Sequence, residues 1–181
     1  MDAARRSALL GLARQTIQAH LAREPLPARP ALGLESQDHG GVFVTLRNHG
    51  RLRGCIGEFR SGRDLADAVQ RMAVAVLRDP RFDDHPVTPR ELPELSIEIS
   101  ILSPMVKTQA PETLQPGVHG LYLRRGGRGG CFLPQVATEQ GWDAHQMLAY
   151  CCTHKAGLPA DAWKDPETEI CLFTADVLEE E

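Results

Sequence analysis

The stretch GVFVTLRNHGRLRGCIG, residues 41 to 57, constrains this chain more than any other. Val42, Val44 and Leu46 alternate with Phe43, Thr45 and Arg47. Asn48, His49 and Gly50 supply turn chemistry, and Leu52 and Ile56 then resume the apolar pattern. The spacing predicts an antiparallel hairpin with one greasy and one polar face. Cys55 falls late in its second strand, flanked by Gly54 and Gly57. In a regular strand Cys55 shares a face with Arg53 and Gly57, opposite Leu52, Gly54 and Ile56, so the thiol points away from the apolar set. A bulge at either glycine would reverse that orientation. The two glycines leave room for a backbone, a substrate or a metal to approach the sulfur, or they mark a bulge in a packed sheet.

The remaining chain places this hairpin in an α+β fold. From the N-cap Asp2, the spacing of Leu10, Ala13, Ile17 and Leu21 predicts a helix within residues 1–24, and the proline-rich connector Pro25 to Pro30 ends it. The segment ESQDHGG reads as a turn before the hairpin. A second helix, capped by Ser61 or Asp64, buries Leu65, Ala68, Val69, Met72 and Val76 and stops before Pro80. Its positive N-terminal end is expected to face the loop near Gly57 to Gly62. A proline-studded loop precedes a strand in which Leu95, Ile97, Ile99 and Ile101 alternate with polar residues. A second hairpin is expected to set Leu121 and Leu123 against Cys131 and Leu133, with Arg124, Arg125 and Arg128 at a glycine-rich tip. That tip suits a phosphate or plain solvent. Asp143 caps a last helix with Met147, Leu148, Cys151 and Cys152 turned inward, and TEICLFTADVLEEE reads as one final strand with its acidic tail in water.

Composition excludes several classes. With 181 residues and 42% hydrophobic content the chain can bury a core as one domain, 1–181, with or without a small lobe. No apolar run approaches the roughly 20 residues that cross a bilayer, and residues 1–15 show no continuous signal-peptide core, which points to a cytoplasmic protein without membrane contact. The five cysteines are odd in number and two of them are adjacent, so reduced thiols are expected. No C-x-x-C or H-E-x-x-H spacing occurs and no metal site is expected; Asp83, Asp84 and His85 read as turn chemistry rather than ligands. Arginines at positions 47, 51, 53, 60 and 63 would suit an RNA partner. A net charge of −4 and 5% aromatic content argue against recognition by stacking, and a solvated hairpin face accounts for the same residues.

LRGCIG, DPRF, ELPELSIEISILSP, HGLYLRRGGRGGCFLPQVA, GWD and KAGLPADAW follow one another in an order and spacing similar to the AMMECR1 family, in its stand-alone prokaryotic form termed AmmeMemoRadiSam system protein A. The resemblance runs over residues 41–181, and Leu52 to Gly57 matches the family's signature hexapeptide. It implies an α+β fold of antiparallel sheets with flanking helices, a larger and a smaller lobe, and a cleft near the hexapeptide. It also implies a working link with a Memo-like protein and a radical S-adenosylmethionine enzyme. It names no reaction and no cofactor.

Two readings of the site follow. In one, the chain is a binding or adaptor module whose cleft is lined by Leu52, Gly54, Ile56, Gly57, Glu58 and His85. In the other, Cys55 is a reactive thiolate on a small or modified anionic substrate and Arg53 orients the anion. Glu58 just beyond the motif is a candidate proton acceptor, His49 is set back by roughly 20 Å of strand, and only the fold can bring His85 or Asp83 near. The residues leave the choice between enzyme and module open. A catalytic triad needs a base and an orienting group, and the sequence displays neither beside Cys55.

Overall fold

Residues 41–57 form the expected hairpin. Strand β1 (Gly41–Asn48) pairs antiparallel with β2 (Arg51–Phe59). They are joined through His49 and Gly50 at φ 47° and 78°, a left-handed pair whose twist matches that of the flanking strands. On its other side β1 pairs with β3 (Leu95–Leu102), Val44 opposite Ile99, and a four-stranded sheet in the order β2-β1-β3-β8 is completed by β8 (Ala175–Glu179). The computed structural model describes residues 1–33, 38–59 and 62–180. The expected turn at 35–37 and the Ser61 cap therefore lie outside the described residues.

Val42, Val44, Leu46, Ile97 and Ile99 are at most 1% exposed and face two helices. Helix α1 (Ala3–Ala22) begins as predicted, with the Asp2 carboxylate accepting the Arg5 amide at 2.8 Å. Its buried stripe is rotated from the expected one. Leu9, Leu12, Ala13, Thr16 and Ile17 are buried, while Leu10 and Leu21 are half-buried at its margin. Helix α2 (Leu65–Ala75) is capped by Asp64 and passes into a tight helical turn, Val76–Arg78. The chain doubles back between β2 and α2. Eleven helical residues cover about 16 Å at 1.5 Å each, and the five strand steps from Phe59 to Gly54 cover about the same distance. The C-terminal end of α2 therefore returns to the middle of β2, where the Val76 carbonyl stands against Gly54; residues 60 and 61 of the loop expected before the helix's N-terminal end lie outside the described residues.

The chain divides into two units, Met1–Leu102 with Asp176–Glu181, and Ser103–Ala175. The second unit has its own four-stranded sheet, in the order β4-β7-β5-β6, formed by β4 (Val106–Lys107), β5 (Gly120–Arg125), β6 (Arg128–Phe132) and β7 (Glu169–Phe173). Its core gathers Leu121, Leu123, Met147, Leu148, Cys151 and Cys152. The β5–β6 register differs by one residue from expectation: Leu121 faces Phe132 and Cys131 faces Tyr122. A two-residue Gly126-Gly127 turn sets this register, where the expected one needs an odd loop. Leu133 ends the hairpin and caps a helix the residue pattern did not reveal, α3 (Pro134–Gln140). Helix α4 (Ala144–Tyr150) starts at Asp143 with a full capping box and widens into a π-helical turn, Cys151–Lys155. Burial pushes the Cys151 thiol well above the ordinary range, in keeping with a packing role.

The expected single final strand is two, β7 in one sheet and β8 in the other. Of the acidic tail, Glu179 is exposed as expected and Glu181 lies outside the described residues, but Glu180 is drawn back onto the fold. The Glu180 carboxylate accepts the Ile97 amide at 2.9 Å and is bound by Arg14, whose guanidinium also donates to the carbonyls of Leu92 and Leu95.

Two glycines serve this packing. Phe43 lies over Gly57, and a Cβ on that glycine would stand 2.2 Å from the ring; Phe173 covers Gly120 in the second sheet in the same way. Gly57→Ala is expected to cost about 1–3 kcal/mol by overpacking. Adding Phe43→Leu should recover part of that loss, a coupling that urea unfolding of both single variants and the double variant would measure.

Candidate functional site

The site is built on the open edge of β2. Cys55 sits opposite Thr45, on the face turned away from Val44 and Leu46, as alternation predicts. A bulge is present but lies at neither glycine. Gly54 pairs with Leu46 and Leu52 with Arg47, so Arg53 is the extra residue. The Thr45 hydroxyl, on a residue only 5% exposed, donates to the Cys55 sulfur at 3.3 Å. Cys55 itself is half-buried.

Because β2 has no further strand beside it, the backbone groups of Cys55 turn toward the segment that follows α2. The Cys55 amide donates to the Asp79 carboxylate at 2.9 Å, and its carbonyl accepts from Arg81 at 3.1 Å. Asp79 and Arg81 also bind each other, Nη2 to Oδ2 at 2.5 Å and Nε to Oδ1 at 3.0 Å. The ion pair thus supplies an acceptor and a donor where a neighbouring strand would. Asp79 also caps the tight turn Pro80–Phe82, its carboxylate accepting the Arg81 amide at 3.1 Å. The Arg81 guanidinium, bonded to both Asp79 oxygens, outweighs the opposing effect of burial and, with the Cys55 and Arg81 amides, holds this carboxyl down to about 2.

Arg53 is held by a second clamp. Its Nε and Nη2 meet the two Glu91 oxygens at 2.5 and 3.1 Å, and Nη2 also donates to the His85 carbonyl at 2.9 Å. The Arg53 guanidinium lowers the Glu91 carboxyl below its usual range, with a smaller contribution from the Asn48 amide. Phe82 lies near both guanidinium groups, 5.7 Å from Arg53 Cζ and 5.8 Å from Arg81 Cζ.

These contacts revise the expected roles. The room at Gly54 and Gly57 is filled by this chain itself: a Cβ on Gly54 would stand 2.7 Å from the Val76 carbonyl oxygen, and Phe43 covers Gly57. Leu52 and Ile56 are half-buried, and Ile56 packs against the core of the first unit. Glu58 pairs with Val42, three residues beyond Cys55 and hence on the opposite face of the strand. His85 contributes its carbonyl to Arg53, while the residue is exposed. Among the other arginines weighed for RNA, Arg63 pairs with Asp67, and Arg60 lies outside the described residues. At the second hairpin, Arg125 pairs with Asp165 at 2.8 Å and Arg124 approaches Glu169 at 3.7 Å. No group of three or more histidine, cysteine, aspartate or glutamate residues suited to a metal occurs among the described residues. Asp79, Arg81, Glu91 and Thr45 were not singled out as site residues from the sequence, although Asp-Pro at a helix end is a readable capping signal.

The sequence model of the family described as AMMECR1 matches residues 10–178. A protein of Methanothermobacter thermautotrophicus is 41% identical over 96% of this chain and 93% of its own length. One of Thermococcus kodakarensis is 39% identical over 96% and 89%. Among solved structures, an uncharacterized protein from Pyrococcus horikoshii matches with a TM-score of 0.83 at 36% identity, covering 96% of this chain and 90% of the other.

Asp79→Asn tests the clamp. A carboxyl depressed when folded adds stability above its unfolded pKa and loses it as pH falls toward about 2. At about 1.4 kcal/mol per unit, the variant should lose about 2 kcal/mol at neutral pH. It should also unfold with a shallower dependence between about pH 4 and pH 2, measured by urea midpoints across that window.

Proposed function

This chain belongs to the AMMECR1 family, and from that premise we propose that it is a binding or adaptor module. It would present the Cys55 strand to a Memo-like protein and a radical S-adenosylmethionine enzyme. One observation carries this reading: the charged groups beside Cys55 are already committed. Arg53 is engaged by Glu91 and the His85 carbonyl through Nε and Nη2, Arg81 likewise by Asp79 and the Cys55 carbonyl, and the Cys55 amide is taken by Asp79. An anionic substrate would have to compete with carboxylates already in place. The Thr45 hydroxyl donates to the sulfur, and Glu58, the acidic residue that follows the hexapeptide, lies on the other face.

What this arrangement does well is hold a strand in one shape. Gly54 seats the turn after α2, Gly57 seats Phe43, and two ion pairs lock the backbone around the bulge. A preorganised surface loses less freedom on docking, so its contacts convert more fully into affinity. The second reading, covalent chemistry at Cys55, draws on the sulfur being half-exposed and hydrogen-bonded to Thr45.

Binding of each purified partner, measured by calorimetry, separates the two. The module reading expects complex formation with at least one partner and about a tenfold loss of affinity in Gly54→Ala, whose added Cβ would push the Val76 turn off the strand. Cys55→Ser should leave the fold intact and report whether the thiol itself is touched. No complex with either partner, together with alkylation of Cys55 ahead of the other four cysteines below about pH 7, would overturn the module in favour of the enzyme.

A further inference from the structure

The outer side of α2 carries a second surface, on the opposite side of β2 from the Cys55 thiol. The inference drawn from it does not depend on the reading above. The connector after α1 is fastened alongside α2. The buried Gln70 amide donates to the Pro27 carbonyl at 2.8 Å, and Arg29 reaches Asp67 at 2.9 Å and the Gln70 oxygen at 3.3 Å. Between this connector, α2 and Ile56 lies a groove of about 650 Å3. Its apolar lining is incompletely covered: Leu26 is 45% exposed, and Ile56, Val74 and Ala75 are half-buried.

Two further lining residues are charged. Arg71 and Arg78 are exposed, and neither has an ion-pair or hydrogen-bond partner among the described residues. Of the groove's other charged residues, Arg29 pairs with Asp67, whose carboxylate Arg63 also approaches. Arg71 and Arg78 stand seven residues apart, about 10 Å along the helix.

We propose that this groove docks an apolar segment of a partner protein that carries two carboxylates, one for Arg71 and one for Arg78. Carboxylates two to four residues apart in an extended segment span about 7 to 13 Å, which brackets the rise between the two arginines along the helix. A lipid with a single headgroup would satisfy one arginine and leave the other unpaired. A nucleic acid would meet an apolar lining with no aromatic ring to stack on, on a chain of net charge −4. The apolar lining then supplies affinity, and the charges select sign and register.

The probe is a short fluorescent peptide in which leucine pairs alternate with single glutamates, read by anisotropy against the full chain. Expected are saturable binding, weakening with salt, and a loss of about tenfold or more in R71E/R78E. That variant should gain affinity for the counterpart with lysine in place of glutamate. Leu26→Glu, an exposed change on the connector, should weaken the glutamate peptide independently of either arginine. Unchanged thermal melts would show that the variants remain folded. The proposal fails if the glutamate–leucine peptide does not bind, if R71E/R78E binds it as well as the parent, or if a glutamate–serine counterpart binds equally. It also fails if an oligothymidine strand or a fatty acid is preferred.

Discussion

A buried carboxylate at the end of α2 takes the amide of Cys55 where β2 has no neighbouring strand. Much of the first unit is arranged around that contact. Helix α2 has the length that returns the chain to the strand's middle, and Gly54 is a glycine because the Val76 carbonyl occupies the space of a side chain. Asp79 then caps its turn, binds Arg81 and accepts the amide, while Arg81 closes the edge at the Cys55 carbonyl. An unpaired strand edge invites association with other strands. Here an ion pair covers it, so the edge beside the cysteine is closed by side chains.

The same economy recurs away from the cysteine. Phe43 over Gly57 and Phe173 over Gly120 fill a missing side chain with an aromatic ring from the adjacent strand, once in each sheet. In both pairs the glycine is defined by what covers it. This removes the strongest reason for regarding the hexapeptide glycines as room left for a ligand. Arg53, the extra residue of the bulge, is likewise committed within the chain, to Glu91, the His85 carbonyl and the Phe82 ring.

Several parts of the fold were legible because their signals are local. Alternation announced β1, β2 and β3, capping residues announced α1, α2 and α4, and inward packing of Cys151 and Cys152 followed from helical spacing. The misses have physical causes. The stripe on α1 turned because Leu9 and Leu12 meet the first core more squarely than Leu10 and Leu21. The last strand split because the chain changes sheets between Phe173 and Ala175, and apolar spacing does not record which sheet a strand joins. At the site, Cys55 and Arg53 stand out by type and position. Asp79, Arg81 and Glu91 act from 24 to 38 residues away, so their roles depend on where a helix ends in space.

The amino-acid sequence by itself determined most element types, the alternation that sets Cys55 against the apolar set when no glycine bulges, and the family, since propensity, alternation and motif order are properties of neighbours along the chain. Tertiary structure alone decided what the glycines are for, which carboxylate Arg53 and Arg81 hold, and that Arg71 and Arg78 have none among the described residues. Those outcomes turn on distances between segments, and steric exclusion and charge pairing take effect only when the chain has brought the segments together.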